Sequence, residues 1–185
     1  MKTKIFIRSF VVVILVILLI NAGKIARLYF PLYYSAHIQN YSQKYNLNPY
    51  LVAAVIRTES NFRPKAKSSK NAFGLMQITT STGEWAAKEM KLENFSAEQL
   101  QEPEYNIRMG CWYLDNLKKE FDGDMDLVLA AYNGGRGNVQ KWLADETHSK
   151  DGKNLHYIPF KETDKYVKRV KVFFNIYKFL YRNTF

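Results

Sequence analysis

From Tyr33 to the end of the chain, apolar residues recur every three or four positions and almost never alternate. That spacing builds amphipathic helices, whereas a half-buried strand needs a period of two. The expected fold is therefore mainly α. Ile107, Cys111, Leu114, Leu117 and Phe121 trace one helical face, and Val167, Val170, Phe174, Tyr177 and Tyr181 trace another. Further helices are expected over 33–45, near 83–90, from Asp126 to Asn133, and over 139–143. Asn48-Pro49 supplies an N-cap and a first-turn proline for a helix running through Ser60. Ser96, with Gln99 three positions on, has the form of a capping box. Residues 61–80 carry Pro, Gly, Asn and Ser, which predicts a long loop with one short hairpin.

The N-terminus follows a different rule. Lys2, Lys4 and Arg8 form a basic leader, and Phe10 to Ile20 is unbroken apolar sequence. With Ile5 to Ile7 and Ala22 included, the run reaches the minimum for a helix that spans a bilayer, about 17 residues. Bulky Ile20 ahead of Asn21-Ala22-Gly23 makes a poor signal-peptide cleavage site. The expectation is an uncleaved transmembrane helix over 1–23 and a juxtamembrane linker over 24–32. One exported domain follows over 33–185, at the outer face of the cell membrane. No Cys follows the run, which excludes a lipid-modified cysteine there. Cys111 is the only cysteine, so no intramolecular disulfide forms.

The formal charge of +10 favours anionic partners. Its Lys and Arg residues are scattered rather than gathered in one stripe, so the attraction is read as non-specific. A nucleic-acid partner also conflicts with export. His37, His148 and His156 are dispersed and lack ligand spacing, so neither metal nor organic cofactor is expected.

Glu59 stands out on the second helix. It lies three and four residues beyond Ile56 and Val55 and so extends their apolar stripe near the helix C-terminus. Desolvation and the negative end of the helix dipole would both raise its pKa. Pattern alone leaves two readings open: an acid held in dry surroundings, or a carboxylate that turns to solvent or pairs with a cation.

The residues that follow narrow the choice. Glu59-Ser60 precedes Phe62, Pro64, Ala66, Ser68 and Ala72, then Gly74-Leu75-Met76-Gln77-Ile78. Later come Asn106-Ile107-x-x-Gly110-x-x-Tyr113-Leu114, Ala130-Ala131-Tyr132-Asn133-Gly134-Gly135, and Ile158-Pro159-x-x-Glu162-Thr163-x-x-Tyr166-Val167. In order and spacing this resembles the catalytic domain of the soluble lytic transglycosylases, glycoside hydrolase family 23, related to goose-type lysozyme. The resemblance covers residues 36–182.

It implies a lysozyme-like helical domain whose groove binds the glycan strands of peptidoglycan. Glu59 corresponds to the family's single acid/base, which cleaves the β-1,4 bond from N-acetylmuramic acid to N-acetylglucosamine. The product is a 1,6-anhydromuramic end, formed without water. Ser68 and Gln77 resemble groove residues that hydrogen-bond the sugar, although Ser68 also reads as a turn residue. Met76 is a further groove position, with packing as its alternative. Tyr132 resembles the tyrosine beside the acid, against the alternative of a core tyrosine. Asn133 either caps its helix or touches the sugar, and Glu162 resembles a second acid of the family motif, supporting or structural, with direct catalysis as its alternative.

Two departures are visible. Asn71 stands where the family usually has Gly, and Thr79-Thr80 where a proline is usual. Asn tolerates a left-handed turn, so the first change is expected to be silent. A hydrolytic muramidase and a tethered wall-binding or secretion-assembly module are the competing readings.

Overall fold

Asn48 and Pro49 open a helix where their chemistry puts one. In the computed structural model, which describes residues 2–185 except the side chains of 2–9, 11, 18 and 19, α3 runs Pro49–Ser60. The Asn48 side chain accepts a hydrogen bond from the Tyr50 N–H at 2.9 Å. Leu51 through Ile56 are all buried, so α3 shows a buried surface on every side and forms the centre of the domain. Fully burying each of Val52, Val55 and Ile56 stabilises by roughly 1.5–3 kcal/mol.

Around α3 stand α2 (Ser35–Lys44), α5 (Pro103–Glu120), α6 (Met125–Gly134), α7 (Arg136–Ala144) and α8 (Lys161–Leu180). The principal contact is α3 with α8, and α2 covers another side of α3. Tyr166, Val167, Val170 and Tyr177 are the buried face of α8. α4 (Thr80–Glu89) packs on α5, and a 3-10 turn over Ala97–Gln101 follows it. The Ser96 N–H donates to Gln99 Oε1 at 3.0 Å, so the expected reciprocal cap is present. At Asp124 the carboxylate caps α6 by accepting from Asp126 and Leu127 N–H.

The long loop contains the expected hairpin, reduced to two residues a side. β1 (Ala72–Phe73) pairs antiparallel with β2 (Ile78–Thr79), Ala72 opposite Thr79 and Phe73 opposite Ile78. Asn71 adopts φ +55°, the left-handed turn that asparagine was expected to accept.

The N-terminal segment departs from expectation. α1 runs Lys2–Tyr29, so most of the expected linker is helix. Its end is fastened to the domain: Arg27 donates to the Leu180 carbonyl at 2.7 Å, Tyr181 to that of Phe30 at 2.8 Å, and Tyr177 to that of Pro31 at 3.0 Å. Residues 24–29 are compatible with helix, and the break comes at Pro31, where φ is fixed and no N–H is available. Among the described residues, no helix is long and apolar enough to cross a membrane. Much of the segment expected to do so lies outside the described side chains.

Candidate active site

α3 ends at the site. Its C-cap, Asn61, takes the left-handed conformation at φ +54°, which turns the chain sharply just after Glu59 and Ser60. Ser60 is buried, and its hydroxyl donates to the Leu75 carbonyl at 2.7 Å. This bond pins the hairpin loop to the end of the acid-bearing helix. The resulting cleft, about 660 Å3, is lined by Glu59, Phe62, Arg63, Pro64, Lys65, Ala66, Lys67, Ser68 and Gln77.

Glu59 is half-buried, with its carboxyl reaching the cleft from among protein atoms. Burial lifts its pKa to about 7, the Tyr166 hydroxyl acts against that rise, and the negative charge of Glu162 adds to it. Near neutral pH the group therefore populates both protonation states, the condition for an acid that must also serve as a base.

Two tyrosines from distant helices dry this carboxyl. Tyr132, from α6, donates to the Met76 carbonyl at 2.7 Å and packs on the Tyr113 ring at 5.3 Å. Burial drives its pKa far up, and the Glu59 charge pushes the same way. Tyr166, from α8, is buried and its hydroxyl has no partner at hydrogen-bond geometry. That hydroxyl nevertheless stands beside Glu59, close enough to hold its pKa down against burial. A phenol with no other partner is a donor reserved for the ionised carboxylate. Tyr166 lies in the last of the sequence motifs, where nothing local assigns it a role. Its place beside Glu59, and not merely in the core, depends on the packing of α8 against α3.

The hairpin loop behind the cleft is held by a single buried asparagine. Asn106 donates to the Phe73 carbonyl at 2.9 Å and the Leu100 carbonyl at 2.7 Å, and accepts from the Met76 N–H at 2.7 Å. Gly74 has φ +76°, and a Cβ there would stand 2.1 Å from the Leu100 carbonyl oxygen, so no other residue fits.

The other expected residues divide. Gln77 lines the cleft and turns its amide N–H groups onto the Ala66 and Gly74 carbonyls at 3.2 and 3.0 Å. Ser68 also lines it, but its hydroxyl accepts from the Lys70 and Ala72 N–H groups, as a turn residue's does. Met76 requires a correction. Its side chain is fully buried and packs where Gly110 leaves room, because a Cβ at Gly110 would be 2.3 Å from the sulfur. Only its backbone serves the site. Asn133 is half-buried in the last turn of α6. Glu162 is exposed in the first turn of α8, outside the cleft lining but near enough to act on Glu59 through its charge. Among the described residues, no group of His, Cys, Asp and Glu is placed to hold a metal ion. Cys111 is buried, and burial pushes its thiol pKa well up, so it is inert.

Fold and site together define a helical, lysozyme-like domain with one raised carboxyl at the side of an open cleft. The comparisons with known proteins agree. The family model described as the transglycosylase SLT domain matches residues 36–155, and the chain belongs to that family. The soluble lytic murein transglycosylase of Escherichia coli is 34% identical over 152 residues, covering 81% of this chain and 24% of that protein. The membrane-bound lytic murein transglycosylase C of Serratia proteamaculans is 34% identical over 122 residues, covering 61% of this chain and 34% of that protein. The crystal structure of the 70 kDa soluble lytic transglycosylase SLT70 from E. coli superposes with a TM-score of 0.74 at 32% identity, covering 83% of this chain and 25% of that one. This chain thus spans about a quarter of the length of the soluble relatives.

Proposed function

We propose that the domain is a peptidoglycan lytic transglycosylase. It cleaves the link from N-acetylmuramic acid to N-acetylglucosamine without water and leaves a 1,6-anhydromuramic end. The observation that carries this reading is the single acid of the cleft lining, Glu59, with its pKa raised to about 7. Glycosidases that use two carboxylates hold the second about 5–9 Å from the first, across the scissile bond. Here the second function falls to the substrate. Its N-acetyl carbonyl assists at the anomeric carbon while Glu59 protonates the leaving oxygen. The Glu59 carboxylate then takes the proton of the C6 hydroxyl, which closes the anhydro ring and returns the enzyme to its starting state. Tyr166 steadies the ionised state between the two steps. Gln77 and Ser68 offer groove contacts for the sugar, and Asn133, next to Tyr132 in the chain, is a further candidate contact.

Arg63, Lys65 and Lys67 give the cleft a basic wall, which suits a polymer bearing carboxylates on its peptide stems. The unbroken apolar run from Phe10 to Ile20 behind a basic leader supports a membrane tether, with the domain at the outer face. A tethered wall-cleaving domain suits a partner assembly that must pass the wall, such as a secretion apparatus.

A hydrolytic muramidase is the second reading, with exposed Glu162 as the carboxylate that would activate water. Digestion of purified peptidoglycan by the full chain and by Glu59→Gln separates the possibilities by mass spectrometry. Anhydromuropeptides from the native chain only are expected. Products heavier by one water would establish hydrolysis instead, and equal product from both proteins would remove Glu59 from the mechanism.

A further inference from the structure

We infer that the pocket between α2 and the start of α5 is a second ligand site, built for the zwitterionic head of an amino acid. It encloses about 510 Å3 and shares no lining residue with the Glu59 cleft. Pockets of several hundred Å3 are the usual size of small-ligand sites.

The pocket is lined by a cation with no carboxylate partner among the described residues. Arg108, from α5, lines the pocket. Its Nε is buried with no hydrogen-bond partner, the Tyr45 phenol stands close enough to take a hydrogen bond from the guanidinium, and among the described residues no carboxylate forms a salt bridge with it. A guanidinium cannot shed its proton, so a partly buried one without an anion lacks the partner its fork of donors is shaped to hold. Tyr41, Tyr45 and Tyr105 surround it. Burial raises each of their pKa values and the Arg108 charge opposes the rise in each, which places the cation among the three phenols.

The rim has the opposite sign. Glu102 and Glu104 are exposed at the mouth, and Glu104 accepts a hydrogen bond from the Tyr41 hydroxyl at 2.8 Å. Half-buried Tyr34 and Tyr105 add aromatic surface between the two charges. A simple anion satisfies Arg108 but meets two carboxylates; a simple amine satisfies those but meets Arg108. A ligand carrying carboxylate and ammonium on one carbon answers both, and aromatic faces favour an ammonium. In the reading of the domain as a peptidoglycan-cleaving enzyme, on which the biological ligand rests, such head groups occur on the free ends of diamino acids in the peptide stems. The pocket would then hold a strand by its peptide while the cleft acts on its sugars.

The test is isothermal titration of the full chain in detergent micelles with meso-diaminopimelate, with pimelate, which lacks the amines, and with cadaverine, which lacks the carboxylates. Diaminopimelate is expected to bind at least about 10-fold more tightly than either truncated probe. Arg108→Gln and Glu102→Gln should each weaken it by roughly 10-fold. Glu102 is exposed, so its variant keeps the test valid even if Arg108→Gln unfolds. Equal binding of the three probes, no loss in Glu102→Gln, or loss in Glu59→Gln would each overturn the site. Absent binding with anhydromuropeptides still released overturns this inference alone. Intact binding with no glycan cleavage overturns the catalytic reading alone.

Discussion

The two walls of the cleft are built on opposite principles. The wall at the end of α3 is dry: Glu59 is hemmed by Tyr132 and Tyr166, whose hydroxyls lie among protein atoms. The facing loop is wet and cationic, with Arg63, Lys65 and Lys67 exposed to solvent. Proton transfer needs a carboxyl whose two states are close in free energy, which desolvation supplies. Holding a charged polymer needs long-range attraction and loose, replaceable contacts. In the proposed function, dividing these tasks between walls lets one cleft do both. The division also predicts that damage to each wall will be felt in a different measurement.

The largest effect belongs to the dry wall. Glu59→Gln should lower anhydromuropeptide release by about 1,000-fold or more, since it removes the proton in both steps. Stability should move the other way. A carboxyl whose folded pKa of about 7 exceeds its unfolded value of 4.5 binds more protons in the native state between those two pH values. Its presence therefore weakens the fold as pH rises through that window, by up to about 3 kcal/mol once it is fully ionised. The glutamine variant should be the more stable protein in urea at pH 8, with the difference vanishing below about pH 4.5. A variant less stable at pH 8 would mean that Glu59 is not desolvated.

The hairpin behind the wet wall depends on Asn106. Asn106→Leu would leave the Phe73 and Leu100 carbonyls and the Met76 N–H without their partner, at a cost of about 1–3 kcal/mol for each buried group left unsatisfied. Urea unfolding should show a loss near the top of the single-mutation range, 3 kcal/mol or more. Gly74→Ala should do comparable harm, because the added Cβ meets backbone that cannot move aside.

This asymmetry also marks what the sequence could and could not reveal. The cap of α3 by Asn48, the box of Ser96 with Gln99 and the turn at Asn71 are local chemistry, decided within a few residues, and each stands where it is legible. The raised carboxyl was legible as a stripe position but not as a dry one. Its dryness comes from α6 and α8, whose approach depends on tertiary packing. Met76 shows the limit from the other side. An apolar residue between Gly74 and Gln77 reads equally as groove or core, and only the space opened by Gly110 decides for core. Composition marks a connector after the apolar run, whereas Tyr177 of α8 and Tyr181 just past it, which hold the chain where α1 ends, lie about 150 residues away.

Within the dry wall, two neighbours of Glu59 pull its pKa in opposite directions, and this makes a paired test. The Tyr166 hydroxyl lowers it and Glu162 raises it. Tyr166→Phe should therefore move the Glu59 limb of the pH–rate profile upward and Glu162→Gln should move it downward, each by less than about one unit. Activity at pH 7 should fall by roughly 10-fold in the first, where the ionised state loses its donor. It should change little in the second if Glu162 only supports. A profile that stays fixed in both would detach these residues from the acid. A collapse of activity in Glu162→Gln, with hydrolytic product in the native chain, would promote Glu162 to a water-activating base.

The smallest effect belongs to the lysines of the wet wall. Lys65 and Lys67 are exposed, and the Lys67 ammonium lies over the Phe73 ring at 5.1 Å. Exposed charges act through a screened field, so Lys65→Gln with Lys67→Gln should weaken the glycan by only about 2- to 5-fold at low salt. The difference should disappear near 0.5 M salt, where the screening length is about 4 Å. Turnover at saturating substrate should be unchanged, because in the proposed mechanism neither side chain moves a proton. If the double variant instead lost turnover at every salt concentration, the loop would be taking part in the chemistry, and the division of labour between the walls would fail.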